Sequence, residues 1–128
     1  MKLLLDTHIL LWIAMGKLPK SALGYILDES NTLFFSSASI WEIVIKRSLN
    51  RLDFRVDPSL LFSELLDDGY EQMPIVGQHA LMLGAMPMLH KDPFDRILLA
   101  QSIVEGISLL TADSVMAKYP APVILIKK

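Results

Sequence analysis

The chain has 128 residues, no cysteine and a formal net charge of −2, and 52% of its residues are hydrophobic. This length predicts one domain, residues 1–128, with a sizeable buried core. The lack of cysteine excludes a disulfide framework and a thiolate metal site. No apolar run reaches the ~20 residues of a membrane span, and Asp6 and His8 interrupt the N-terminal run where a secretion signal would continue. We therefore expect a cytoplasmic protein without a membrane segment.

Short apolar strands alternate with helices in the first half of the chain. The predicted elements, in order, are strand 2–5, helix 7–14, helix 20–28, strand 32–36 and helix 40–49. Gly16 and Pro19 end the first helix, because neither residue continues a helix readily. Ser36, Ser37 and Ser39 offer caps for the helix over 40–49.

The second half of the chain continues the same alternation. The predicted elements are a helix from residue 58 to Gly69, an extended segment 70–75, helix 76–86, helix 94–105, strand 107–110, a helical turn 114–119 and strand 123–126. Such alternation predicts an α/β fold of three layers, with a central, mostly parallel sheet of four to five short strands and helices on both faces. The working site of such a sheet lies outside the carboxyl ends of its strands.

Four acidic residues lie where this fold would turn them toward one point: Asp6, Glu42, Asp95 and Asp113. Asp6 and Asp113 follow predicted strands, Asp95 opens an apolar helix, and Glu42 is the only charge in the stretch ASIWEIVI. Carboxylates gathered without matching cations repel one another unless hard divalent metals hold them together. The pattern predicts a metal-dependent phosphodiesterase, with RNA as the expected substrate.

Each aspartate also has a simpler interpretation. Asp6 and Asp113 could cap the helical segments that follow them. Asp95 falls in the first turn of a helix capped by Asp92, where the helix dipole favours a negative charge. Asp92 could itself be a fifth acid at the rim of the site. Taken one at a time, these alternatives stay open.

Glu42 and Thr111 have alternatives of their own. Glu42 could pair with Lys46 one helical turn later if that face is exposed, but a buried carboxylate there needs a strong partner such as a metal. Thr111 stands two residues before Asp113. Its hydroxyl could orient a water or a carboxylate, or could simply form a turn.

A basic string follows Glu42, made of Lys46, Arg47, Arg51 and Arg55. It is interpreted either as a solvated helix end or as a rim that contacts phosphates. Lys46, Arg47 and His8 are the candidate substrate contacts. His8 and His90 flank acidic residues in the sequence, so either could touch substrate or lie at the surface.

Four segments, in order, resemble a PIN-domain nuclease: DT at Asp6-Thr7, WE at Trp41-Glu42, DPFDRILLA and TAD. The DTHILLW opening and the HKDPFDR segment are similar to the VapC-type toxins of bacterial toxin–antitoxin pairs. The likeness covers essentially the whole chain.

The resemblance implies a PIN-like fold and an endoribonuclease that uses Mg²⁺ or Mn²⁺. It maps the family's acidic positions onto Asp6, Glu42, Asp95 and Asp113, and its hydroxyl position onto Thr111. A homodimer is implied too, as is a cognate antitoxin whose tail blocks the acidic site. Many relatives carry a further acid after the last one. Residues 114–116 are Ser-Val-Met here, which leaves one-metal and two-metal chemistry open.

Three rival classes fit less well. A signalling receiver domain needs paired acids after the first strand, but Asp6 stands alone there. A haloacid-dehalogenase-type phosphatase needs a second aspartate where His8 stands. A catalytically inactive PIN-like domain that only binds a partner is the remaining alternative, and RNA cleavage by the purified protein separates it from the enzyme.

Overall fold

The structure, a computed structural model, describes residues 1–128. Its strands are β1 (Lys2–Leu5), β2 (Thr32–Ser36), β3 (Glu71–Met73), β4 (Ser108–Thr111) and β5 (Val123–Leu125). Its helices are α1 (Thr7–Met15), α2 (Lys20–Leu27), α3 (Ser37–Ser48), α4 (Pro58–Asp67), α5 (Gly77–Met82) and α6 (Pro93–Glu105). Two short 3₁₀ turns cover Leu83–Ala85 and Met116–Lys118. None of the helices is both long and apolar enough to cross a membrane.

The five strands form one sheet in the order β3-β2-β1-β4-β5, and every neighbouring pair is parallel. The predicted α/β class is therefore confirmed. The chain runs outward from β1 through β2 to β3, and then returns to the other side of β1 for β4 and β5. The strand order reverses between β1 and β4, which is where parallel sheets open a crevice for ligands. A receiver domain has a different strand order, 2-1-3-4-5.

Two hydrophobic cores lie on opposite faces of the sheet, because successive side chains of a strand point in opposite directions. Leu3 and Leu5 of β1 pack in one core with buried residues of α1, α2 and α4. Leu4 packs in the other core with the buried face of α6. Helices therefore cover both faces of the sheet, as the sequence predicted.

Most element boundaries match the prediction, with two informative exceptions. Helix α3 begins at Ser37, three residues early, because the Ser36 hydroxyl accepts the Ala38 N–H at 3.0 Å and caps the helix there. The single helix predicted over 76–86 is shorter: α5 ends at Met82 and continues only as a 3₁₀ turn. The ends of α1 and α6 fall at Gly16 and Gly106, whose positive φ angles of 66° and 67° suit glycine.

Candidate active site

The carboxyl ends of β1 and β4 open on a cavity of about 230 Å³ at the point where the strand order reverses. Seven residues line this cavity: Asp6, His8, Trp12, Asp95, Ala112, Asp113 and Lys128. Three of them are acids that the sequence placed in the site, and we call Asp6, Asp95 and Asp113 the three-aspartate group. The structure thus brings together side chains that are far apart in the sequence.

Asp6 is the most enclosed acid of this group, with 3% of its surface exposed. It stands just before α1 but makes no side-chain capping bond, so the simpler interpretation as a helix cap is wrong. Its Oδ2 accepts the Thr111 hydroxyl at 2.7 Å, whereas its Oδ1 is buried without a partner. Burial raises the pKa of Asp6 above its ordinary value, although the bond from Thr111 opposes the change.

Thr111 ties the ends of β1 and β4 together. Its hydroxyl donates to Asp6 and accepts the backbone N–H of Asp113 at 3.0 Å. The one proton of the hydroxyl goes to the carboxylate of Asp6, and one of its lone pairs accepts the Asp113 amide. Thr111 therefore orients the Asp6 carboxylate and fixes the start of the segment that carries Asp113.

His90 lies between two of the aspartates. Its Nδ1 accepts the Asp92 N–H at 3.2 Å, so the proton of the neutral ring lies on Nε2. Nε2 is 2.9 Å from Asp113 Oδ2 and 3.1 Å from Asp95 Oδ2. Sequence reasoning missed this bridge. Its only signal is the HKD spacing, which places the histidine two residues before the residue that caps α6.

Asp95 and Asp113 differ in their proton affinity. Burial, followed by the negative charges of Asp6 and Asp92, raises the pKa of Asp95 to about 8. Burial acts on Asp113 in the same direction, but hydrogen bonds from His90 and from the Val115 amide lower its pKa overall. Near neutral pH the metal-free site therefore keeps a proton on Asp95, and a bound cation would displace it.

Glu42, Lys46 and Asp92 form a second group, the lysine group, beside Asp95. The Lys46 ammonium lies 2.5 Å from Glu42 Oε2 and 3.0 Å from Asp92 Oδ2. The Glu42–Lys46 pair is the one that the sequence allowed for an exposed helix face. In the structure that face is buried, and Glu42 is only 1% exposed.

The surroundings of Lys46 favour its charged form. Burial alone would lower the pKa of Lys46, but the bonds to Glu42 and Asp92 raise it above the usual range. The rings of Phe54 and Phe94 lie 5.0 and 5.7 Å from the ammonium and cover it. The cation therefore faces acids and aromatic rings rather than open solvent.

Asp92 has two roles at once. Its Oδ1 accepts the N–H groups of Phe94 and Asp95 and caps α6, as the sequence favoured. Its Oδ2 accepts from Lys46. Burial opposes ionisation, but the Lys46 bond and the Phe94 amide outweigh it and lower the pKa of Asp92. The cap and the fifth acid at the rim are thus the same residue.

The residues present fit a divalent cation. Two sets of side chains have polar atoms within 4.8 Å of one another: His90, Asp95 and Asp113, and Glu42, Asp92 and Asp95. In the first set the two carboxylates are the ligands, because His90 Nε2 carries a proton. Carboxylate oxygens without thiolates suit Mg²⁺ or Mn²⁺. Asp6 Oδ1 and Glu42 Oε1 are buried and have no hydrogen-bond partner. Such orphaned oxygens are uncommon in folded proteins, and a cation in the cavity would satisfy that of Asp6.

A basic pocket is connected to the cavity through a chain of contacts. Its lining has no apolar side chain and consists of Arg47, Asn50, Arg51 and Arg55. Arg51 Nε lies 3.7 Å from Asp53 Oδ1, and Asp53 Oδ2 lies 3.4 Å from His8 Nε2. Because His8 also lines the acidic cavity, these contacts lead from the basic pocket to the three-aspartate group.

The model of the PIN domain family matches residues 3–122. The chain belongs to the PIN domain family. PIN domains are nucleases that generally use divalent metals, so membership supports a hydrolase that acts on nucleic acid. The resemblance read from the four sequence segments is confirmed. No curated protein matches the chain by sequence.

Solved structures of toxin–antitoxin complexes share the fold. VapBC2 of Rickettsia felis, bound to a DNA fragment from its promoter, matches with a TM-score of 0.75 and 18% identity over 99% of this chain and 100% of the other. DNA-bound VapBC of Salmonella typhimurium gives a TM-score of 0.68 and 18% identity over 97% of both chains. VapBC-5 of Mycobacterium tuberculosis gives a TM-score of 0.63 and 15% identity over 99% of this chain and 98% of the other.

Proposed function

We propose that the chain is a metal-dependent endoribonuclease that hydrolyses RNA phosphodiester bonds and acts as the toxin of a type II toxin–antitoxin pair. The observation that carries the proposal is the meeting of Asp6, Asp95 and Asp113 in one cavity of a PIN domain. The reaction would be in-line hydrolysis, in which a water adds to phosphorus and a P–O bond breaks. No side chain is proposed as a covalent nucleophile, because no serine or cysteine with an adjacent base is present at the site.

Mg²⁺ or Mn²⁺ is the proposed cofactor, and the three-aspartate group would hold it. When bound, a divalent ion acidifies a water and neutralises negative charge on the departing oxygen. The chain itself supplies orientation. Thr111 fixes the Asp6 carboxylate, and the His90 Nε2–H is shared between the Oδ2 atoms of Asp95 and Asp113.

The basic pocket is the proposed path of the RNA backbone. Arg47, Arg51 and Arg55 present guanidinium groups that suit phosphate oxygens. His8 lies between this pocket and the cavity, and we assign it to the phosphate next to the cleaved bond. The ammonium of Lys46 is already engaged by two carboxylates. We therefore remove Lys46 from the set of substrate contacts proposed from the sequence.

A cognate antitoxin and a second copy of the chain are the proposed protein partners. Large apolar side chains stay exposed, among them Trp41, Leu81 and Met88 at 57%, 80% and 76%. Such surfaces commonly mark protein interfaces. The structural neighbours are themselves toxin–antitoxin complexes. Light scattering of the purified chain, alone and with the product of the adjacent reading frame, tests both partners.

Metal-dependent cleavage of RNA tests the enzyme. The purified chain is incubated with single-stranded RNA in Mg²⁺ or Mn²⁺, then with EDTA, and then with excess metal restored. We expect cleavage that EDTA stops and metal restores, and that the Asp95→Asn variant lacks. A folded protein that binds its partner but leaves every RNA intact under these conditions would be a partner-binding PIN-like domain instead.

A further inference from the structure

Lys46 occupies an unusual place among the acids of the site. Its ammonium is 2.5 Å from one oxygen of Glu42 and 3.0 Å from one oxygen of Asp92, and its side chain is 15% exposed. The rings of Phe54 and Phe94 cover it. These contacts fix the ammonium between the two carboxylates and keep it from reaching other anions.

The acids around Lys46 have the geometry of a cation site. Glu42, Asp92 and Asp95 offer carboxylate oxygens that lie within 4.8 Å of one another. Glu42 is 1% exposed and its Oε1 has no hydrogen-bond partner, so a second cation could in principle use that oxygen. The ammonium, however, already binds two of these three acids.

A divalent ion and an ammonium cannot share so small a group of carboxylates. Like charges a few ångströms apart repel strongly where solvent is largely excluded. The three-aspartate group differs, because its nearest donors are the neutral hydroxyl of Thr111 and the imidazole N–H of His90. Lys128 lines the same cavity but forms no ion pair with these aspartates. A divalent ion therefore meets an ammonium bound to the carboxylates on one side of Asp95, and no ammonium bound to them on the other.

We propose that the Lys46 ammonium replaces a second divalent ion, so that each chain binds one divalent ion, held by the three-aspartate group. This inference rests on the proposed function and concerns the metal content of that same site. It changes the role expected for Glu42 from metal ligand to positioning residue, which holds Lys46 and acts on the site through it.

Metal stoichiometry tests this proposal without any measurement of cleavage. Calorimetric titration of the metal-free chain with Mn²⁺, checked by the electron paramagnetic resonance signal of free Mn²⁺, counts the ions bound. We expect one ion for the natural chain and one for Lys46→Arg, which keeps the charge. Lys46→Met is expected to bind two, with affinity for the second ion raised at least about a hundredfold.

Two results would overturn the proposal. One is a natural chain that binds two Mn²⁺ ions with Lys46 in place. The other is a folded Lys46→Met variant that still binds only one. If Lys46→Met does not fold, crystals of the natural chain soaked in Mn²⁺ decide: one anomalous peak among Asp6, Asp95 and Asp113 supports the proposal, and a second peak beside Glu42 contradicts it.

These outcomes are separate from the fate of the proposed function. Metal-dependent RNA cleavage by a chain with two bound ions would support the proposed nuclease function and contradict only the role proposed for Lys46. A chain that binds no divalent ion and cleaves no RNA would contradict both. A further comparison sharpens the assignment of Glu42: Glu42→Gln should still bind one Mn²⁺, whereas Asp113→Asn should weaken that binding at least about tenfold.

Discussion

The three-aspartate group and the lysine group adjoin each other at the ends of the same strands, yet they handle negative charge in opposite ways. Glu42 and Asp92 share a permanent cation, Lys46, and Asp92 is ionised readily. Asp6 and Asp95 form no ion pair with a lysine or an arginine, and the pKa of each is raised, first by burial. The chain itself supplies the cation of the lysine group, although Glu42 Oε1 stays unpaired, whereas the three-aspartate group would take its cation from a ligand.

The difference shows how a fold can separate structure from chemistry within one acidic cluster. A buried ion pair that is satisfied by the chain holds α3 and the start of α6 together. A buried carboxylate that lacks a partner costs stability until a ligand arrives. Substitutions in the two groups should therefore have different signatures, with loss of activity on one side and loss of stability on the other.

The largest effect on activity is expected for Asp6→Asn. The amide keeps the shape of the side chain but cannot bind a divalent ion as a carboxylate does, so cleavage should fall on the order of a thousandfold. The melting temperature in EDTA should stay the same or rise, because the substitution removes a buried charge. Cleavage assays and thermal melts measure both, with the exposed Asp67→Asn as the matched control. Full metal-dependent activity in Asp6→Asn would remove Asp6 from the site.

The largest effect on stability is expected for Lys46→Met. The substitution leaves Glu42 buried with no positive partner, which should lower the free energy of unfolding by about 3 kcal/mol. Adding Glu42→Gln should recover a good part of that loss, since the orphaned charge is then gone. Urea denaturation measures each variant, and Arg47→Met, on the exposed side of the same helix, should change little. Equal losses for the two methionine variants would mean that the pair does not stabilise the fold.

The pH dependence of the free energy of unfolding also distinguishes the two groups, and it needs no substitution in the lysine group. The pKa of Asp95 is about 8 in the folded chain and near 3.8 when unfolded, so the folded state holds the extra proton between these values. Stability of the metal-free chain should therefore fall as pH rises from 5 to 8, by on the order of 4 kcal/mol. Urea denaturation in EDTA at several pH values measures the slope.

Asp95→Asn provides the control for this slope, because it removes the one group whose proton the slope reports and leaves the rest of the chain unchanged. At each pH, the free energy of unfolding of the variant is subtracted from that of the natural chain, and the difference is the contribution of Asp95. Asp113 and Asp92, whose pKa values are lowered, are ionised across the whole window and add no slope. A difference that is flat or rises with pH would show that Asp95 is ionised in the folded metal-free chain.

A smaller effect on activity and stability is expected for Thr111, whose hydroxyl links the ends of β1 and β4. Thr111→Val removes the donor to Asp6 and the acceptor for the Asp113 amide, so activity should fall about tenfold and stability by about 1 kcal/mol. Thr111→Ser keeps the hydroxyl and should retain most of both. If valine and serine behave alike in single-turnover cleavage, the hydroxyl does not orient Asp6.

The sequence predicted the members of the three-aspartate group better than those of the lysine group, and the reason is geometric. Asp6 and Asp113 follow strands, and the carboxyl ends of adjacent parallel strands must meet at one edge. In the structure β1 and β4 are neighbours, so Asp6 and Asp113 do meet there. The same pattern also gave the α/β class and the helices on both faces.

The lysine group and His90 depend on contacts that no local pattern reveals. The spacing of Glu42 and Lys46 indicated a pair, but its burial comes from Phe54 in a loop and Phe94 on α6. The bridge made by His90 depends on the loop before α6, where the Asp92 amide selects the ring tautomer. Long-range packing, rather than periodicity, decides both features.

The smallest effect, and the one that extends the comparison to substrate, is expected for Arg51→Gln. The basic pocket is linked to the three-aspartate group through Asp53 and His8, so loss of one arginine should weaken RNA binding and leave the chemistry alone. Binding is measured in the inactive Asp6→Asn background. The dissociation constant should rise a few-fold, and the slope of log affinity against log salt should fall by about 0.7, the contribution of one phosphate contact on a single strand.

Lys2→Gln is the matched control for Arg51→Gln, because it removes one exposed positive charge at the amino end of β1, away from the site. It should leave the salt slope unchanged. In the active background, the single-turnover rate at saturating RNA should be unaltered by Arg51→Gln. A lower rate at saturation, with unchanged affinity, would place Arg51 among the groups that act on the reacting phosphate. The division between a region that binds RNA and a region that cuts it would then be wrong.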